Sequence, residues 1–203
     1  MTDRRTFLAA AGALTLAGCA GIRPDADGWY TLVDGAKLTS VSDLAGWTQI
    51  GDGKWSIVDG TLQGKGDLKA PGYLVSKASY TDFEMRVEFW SDADANSGVF
   101  LRCQDRNKIG ADNAYEVNIF DKRADQNYGT GAIVDVAKVT LPAPVAANRW
   151  NTFEISARGA HMVVTLNGKT TVDVRHGQHD AGPFALQSGG GTVRFRKVQI
   201  RPL

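Results

Sequence analysis

Glu84, Arg86 and Glu88 stand at alternate positions of the stretch DFEMRVEFW, interleaved with Phe83, Met85, Val87 and Phe89. That period of two marks a β-strand with one apolar and one charged face. Two more stretches repeat the pattern. In ANSGVFLRCQ, Val99, Leu101 and Cys103 oppose Arg102; in YEVNIFD, Tyr115, Val117 and Ile119 oppose Glu116 and Asn118. Side by side in one sheet, these strands gather three carboxylates, two guanidiniums and an amide on a single face. Carboxylates move protons and guanidiniums stabilise developing negative charge, so such a face is either a solvated exterior or a polar ligand groove. Glu84, Arg86 and Glu88 alone fit the exterior, because alternating charges are ordinary cross-strand pairing. Arg102 and Glu116, on adjoining strands, favour the groove, with Asn96-Ser97-Gly98 turning the chain at its rim.

Other chemistry-bearing residues read more plainly. His161, His176 and His179 lack metal-ligand spacing apart from His176-x-x-His179, a loop pair with no third ligand. Asp121, Asp125 and Asp135 offer oxygens without the spacing of a calcium loop. No metal ligand is assigned, and a divalent metal stays an open cofactor. Gly189-Gly190-Gly191 lacks the strand-to-helix setting of a phosphate loop and reads as a tight turn. Of Trp29, Trp47, Trp55, Trp90 and Trp150, Trp90 is the one expected to face solvent. Cys103 reads as a buried structural thiol, since the sequence offers no His or cationic neighbour to make it a nucleophile.

The elements that must position these groups are strands. Glycine contributes 23 residues, and helix signals are scarce. Asp59-Gly60 joins Lys54–Val58 to Thr61–Gly64, and Asn167-Gly168 joins Met162–Leu166 to Thr170–Val174, both in hairpins. Trp29–Val33, Gly72–Ser76, Trp150–Ala157, Phe184–Ser188 and Val193–Ile200 complete a set of about twelve. In the last of these the apolar phase slips at Arg196-Lys197, the mark of a bulge. Strands at this spacing predict an all-β, two-sheet antiparallel jelly-roll sandwich. The longest irregular segments, Gln104–Asn113, Lys122–Gly131 and Val136–Asn148, are candidates to frame a groove.

The first residues read as an address. Arg4-Arg5 precede an apolar run ending at Leu16, shorter than the roughly 20 residues a bilayer span needs. The twin arginines point to folded export, and Leu16-Ala17-Gly18-Cys19 to lipidation at Cys19. Residues 1–18 are thus expected as a signal, 19–28 as a tether and 29–203 as one domain, in a periplasmic lipoprotein anchored to the outer membrane. Without Asp3, Arg4 and Arg5, the chain holds 21 basic and 21 acidic residues. That balance argues against nucleic-acid partners and leaves the lipid as the expected membrane contact.

DFEMRVEF, NSGVFLR, YEVNIFD, TGAIVD, RWNTFEI and FALQSGGGTVRFRKVQIRPL together resemble the 3-keto-disaccharide hydrolase family of bacterial secreted proteins, over roughly Trp29 to Leu203. The resemblance implies a concanavalin A-like fold of the lectin and glucanase type and a carbohydrate substrate oxidised to a ketone at C3. It implies cleavage through removal of the C2 proton, elimination of the C1 aglycone and addition of water. On that reading Glu116 is the base, Arg102 meets the developing oxyanion and Glu88 is a second acid/base. Glu84, Arg86, Asn96, Asn118, Asp135 and Gln187 bind substrate. Many relatives carry a His after the Gln of the closing block; here Ser188 follows Gln187. Lectin-fold glucanases use Glu-x-Asp-x-Glu, whereas Glu84-Met85-Arg86-Val87-Glu88 puts Arg at the centre, which holds both glutamates ionised and disfavours a retaining mechanism. The alternative is a non-catalytic carbohydrate-binding domain.

Overall fold

The computed structural model describes residues 22–203, so the expectations for the signal and for Cys19 lie outside the described residues. Thirteen strands carry the fold: β1 (Tyr30–Asp34), β2 (Trp47–Gly51), β3 (Lys54–Val58), β4 (Thr61–Gly66), β5 (Gly72–Ser76), β6 (Phe83–Ser91), β7 (Ser97–Leu101), β8 (Tyr115–Ile119), β9 (Trp150–Arg158), β10 (His161–Leu166), β11 (Lys169–Arg175), β12 (Ala185–Ser188) and β13 (Gly191–Pro202). One sheet of eight runs β11-β10-β9-β6-β13-β4-β3, with β1 also on β13; the other, of five, runs β2-β5-β12-β7-β8. This is the expected antiparallel sandwich.

Between the sheets lies one apolar core. Met85, Val87 and Phe89 of β6 and Phe153 and Ile155 of β9 meet Val99 and Leu101 of β7, Tyr115 and Val117 of β8, and Leu186 of β12. Period-two alternation therefore picks these inward residues correctly. The two hairpin turns form as their sequences require: Asp59 and Gly60 take φ of 48° and 66°, Asn167 and Gly168 take 51° and 80°. Positive φ at both central positions matches the twist of the flanking strands. The expected bulge appears where β13 slips against β6 between Phe195 and Lys197.

Two expectations are corrected. β6 belongs to the eight-stranded sheet, while β7 and β8 belong to the five-stranded one. Their polar residues face opposite sides of the sandwich, because alternation tells inward from outward but not which sheet is involved. Second, Cys103 does not share the face of Val99 and Leu101. Arg102 takes a left-handed φ of 52°, which ends the strand and turns Cys103 outward. There it is buried with Tyr73, Val75, Phe100, Ile109, Ala114 and Ala185 in a second apolar cluster. β2 went unpredicted, as an edge strand whose Thr48 and Gln49 are exposed.

Candidate functional site

The outer face of the five-stranded sheet is built from two adjoining rows. Antiparallel register sets Tyr73 beside Gln187 and Val75 beside Ala185, then Ala185 beside Phe100. It sets Gly98 beside Asn118 and Phe100 beside Glu116. One row is therefore Tyr73, Gln187, Gly98 and Asn118, the other Val75, Ala185, Phe100 and Glu116. Ile109 and Ala114, from the segment after β7, close over the apolar part of the second row. The polar part remains as a floor.

Glu116 is only 9% exposed, and burial pushes its carboxyl from 4.5 up to about 7. Desolvation of the charged form is the main cause; Arg123 is the strongest charge pulling it back down, and Asp135 pushes it up. Gly98 leaves room for it, since a Cβ there would come within 3.1 Å of Glu116 Cγ and Oε1. Asn118 is fully buried at 0% exposure. Its Nδ2 donates to the Tyr128 carbonyl at 2.6 Å, but its Oδ1 has no partner. Gln187, 8% exposed, donates from Nε2 to the Tyr73 hydroxyl at 3.2 Å, and its Oε1 is also unpartnered. A buried acceptor left empty costs about 1–3 kcal/mol. Two such acceptors lie on the same sheet face as a buried carboxyl, which makes this face the candidate ligand site.

Arg102 takes no part in this floor. Although only 1% exposed, it points away to clamp three carbonyls. Nε and Nη2 donate to Thr81 O at 2.9 and 2.6 Å, and Nη1 to Gly159 O at 2.7 Å and His179 O at 3.1 Å. Nη2 also meets Asp82 Oδ1 at 3.3 Å. The expected pairing of Arg102 with Glu116 is thus overturned by the left-handed turn at Arg102. The cation nearest in influence to Glu116 is instead Arg123, which forms no ion pair among the described residues.

Glu84, Arg86 and Glu88 lie on the outer face of the other sheet and are fully engaged there. Glu84 binds Arg158 at 2.7 Å and also Arg201, whose guanidinium holds the carboxyl below its usual range. Glu88 pairs with Arg196, and Arg86 with Glu154 at 3.6 Å. Arg86 and Arg201 cover Trp29, Arg194 covers Trp90 and Arg196 covers Trp150. Trp90, expected to face solvent, is half-buried, and Trp150 is the more exposed at 37%. The structure therefore brings Glu116, Asn118, Gln187 and Asp135 together, with Asn96 beside them at the end of the floor, and separates Glu84, Arg86, Glu88 and Arg102 from them.

Sequence reasoning missed Tyr73 and Arg123. Tyr73 is hidden in the apolar run GYLVS, and Arg123 lies in a loop; the period-two pattern could flag neither. The His176 and His179 pair serves structure: Tyr115 Oη donates to the His176 carbonyl and accepts from the His179 amide, both at 2.9 Å. Asp121 is held by the Thr130 hydroxyl and the Ala146 and Ala147 amides. Among the described residues, no group of three or more His, Cys, Asp or Glu is arranged to hold a metal.

A candidate glycosyl hydrolase from Parabacteroides distasonis superposes with a TM-score of 0.73 at 19% identity, over 88% of this chain and 95% of its own. A second from the same organism gives 0.61 at 25% identity, over 73% and 90%. A carbohydrate-binding module from Bacillus subtilis gives 0.58 at 22% identity, over 76% and 94%. These likenesses agree with the lectin-type sandwich. No curated protein matches. The model of a 3-keto-alpha-glucoside-1,2-lyase-like domain matches residues 28–201, nearly all that the structure describes. The chain belongs to that family of carbohydrate-related domains.

Proposed function

We propose that the chain breaks the C1 glycosidic bond of 3-keto-glycosides, with Glu116 as the base that takes the proton from C2. The ketone at C3 acidifies that proton. Its removal sends the electron pair toward the C3 oxygen as an enolate. Collapse of the enolate forms a C1–C2 double bond and expels the aglycone with its bonding electrons, which then takes up a proton. Water adding across the double bond gives the free 3-keto sugar.

The observation that carries this reading is the carboxyl at a pKa of about 7 beside two orphaned amide oxygens on one buried floor. A base is most effective when its pKa lies near the working pH. Asn118 Oδ1 and Gln187 Oε1 are acceptors, suited to sugar hydroxyls. Arg123 supplies positive charge toward the enolate, the part first expected of Arg102. Tyr73 takes the place of Glu88 as the proton donor: burial raises its pKa and so keeps the hydroxyl protonated, and its oxygen accepts from Gln187.

The test is to incubate purified protein with matched 3-keto and unoxidised glycosides, with and without chelator. Turnover of the 3-keto substrates alone is expected. Binding of both without turnover of either gives the chain to the non-catalytic reading. We also propose that the protein works outside the cytoplasm on a lipid at Cys19. Cys19→Ala is expected to free it from the membrane fraction, and retention there overturns the anchor.

A further inference from the structure

The two ends of the floor are built differently. Along the strand direction, the segment after β7 closes the end nearest Cys103, with Ile109 and Ala114 packed onto Phe100 and Tyr73. Arg106 fastens that segment by donating to the Ser76 carbonyl at 2.6 Å and the Ser79 hydroxyl at 2.9 Å. At the opposite end three crossings between the sheets meet: Asp67–Ala70 between β4 and β5, residues 92–96 between β6 and β7, and Gly189-Gly190 between β12 and β13. A substrate seated on Gln187 and Asn118 that extends along the strands away from Ile109 reaches this second end.

Leu68 stands there. It occupies the tip of a turn in which the Lys69 amide donates to Asp67 Oδ1 at 2.8 Å and the Ala70 amide to the Asp67 carbonyl at 3.0 Å. At 64% exposure it is the most exposed large apolar side chain among the described residues. A line of contact joins it to the floor. A Cβ on Gly189 would lie 3.2 Å from Gln187 Nε2 and 3.0 Å from the Asn96 carbonyl. A Cβ on Gly190 would lie 3.5 Å from Asn96 Cβ and 3.0 Å from Leu68 Cδ2. The bare glycines thus let Leu68 lean toward Asn96, where larger residues would push it away. An isolated surface leucine needs no explanation; one held at the mouth of a polar floor, against side-chain-free backbone, has a defined neighbour to greet.

We propose that Leu68, resting on Gly190, is the platform for the leaving group, and that it selects 3-keto-glycosides whose aglycone presents an apolar face, such as an aryl ring. This rests on the reading of the floor as the sugar site. The measurement compares an aryl and a methyl 3-keto-glucoside on wild type, Leu68→Ser and Gly190→Ala. For Leu68→Ser, KM for the aryl substrate rises about tenfold, while kcat and the methyl substrate's KM stay within twofold. Gly190→Ala shifts the aryl KM the same way by less. Equal change for both substrates, or none for the aryl one, overturns the platform. If wild type turns over neither substrate, the proposed reaction fails on its own, and calorimetric Kd values for the same two ligands decide the platform by the same ratio. Absence of binding by either ligand overturns it too. An unchanged melting temperature shows that Leu68→Ser folds.

Discussion

The two outer faces of this sandwich differ in a way that charge density conceals. The face of the eight-stranded sheet is crowded with Glu84, Glu88, Glu154 and their arginines, yet its carboxylates have found cations and its tryptophans have found guanidiniums. The face of the five-stranded sheet carries a single carboxyl on its floor, and there the hydrogen-bonding valences stay open. A satisfied charge network is exterior, each exposed pair contributing little. A buried polar atom without a partner is the rarer observation and the one that points to a ligand.

That contrast breaks most readily at its two glutamates. Glu116→Gln is expected to lower kcat by a factor on the order of 10²–10⁴, the usual contribution of a general base, while Glu88→Gln leaves it within threefold. Comparable losses in both would erase the distinction between the faces. Arg102→Lys sharpens it in a different currency. A primary ammonium cannot reach three carbonyls and a carboxylate at once, so roughly 3 kcal/mol of stability is expected to go, at about 1.5–3 kcal/mol per charged hydrogen bond net of those kept. Denaturant titration measures this, and kcat below the transition should hold.

Next comes pH. Folded Glu116 keeps its proton up to about 7, while the unfolded side chain releases it near 4.5. Between those values the native state binds more protons, so stability is fully present below about 4.5 and falls as pH rises through 7. At about 1.4 kcal/mol per pH unit, the loss approaches about 3 kcal/mol by pH 8. Glu116→Gln should therefore be more stable than wild type at pH 8 and gain nothing at pH 4.5. The rate of the wild type should climb through the same window, as the base ionises. The smallest effect belongs to the other face: Arg196→Ala removes an exposed ion pair and is expected to change stability by less than about 1 kcal/mol.

The sandwich was legible because period-two patterns, two Asn/Asp-Gly turns and the slip at Arg196 each report a local backbone choice. The site was legible only in part. Glu116 and Asn118 alternate outward as read, and Gln187 was named through the family resemblance, but membership of a sheet is decided by pairings some hundred residues apart, which no local pattern records. Arg102 misled because one left-handed residue ended the alternation that had assigned it a face. Tyr73 was masked by apolar neighbours on a strand buried from both sides, and Arg123 by its place in a loop with no period at all.

β13, the last strand of the sandwich, lies in the interior of the larger sheet. It pairs along one edge with β6 and along the other with β4 and then β1. During synthesis the earlier strands must therefore wait with open edges, and such edges recruit other chains. Closing them joins segments from opposite ends of the fold, a slow kind of contact to make. Loss of the last dozen residues removes a keystone and leaves β6 and β4 without a common neighbour. The fold thus carries its own test of completeness: a copy released too early has no middle to its larger sheet.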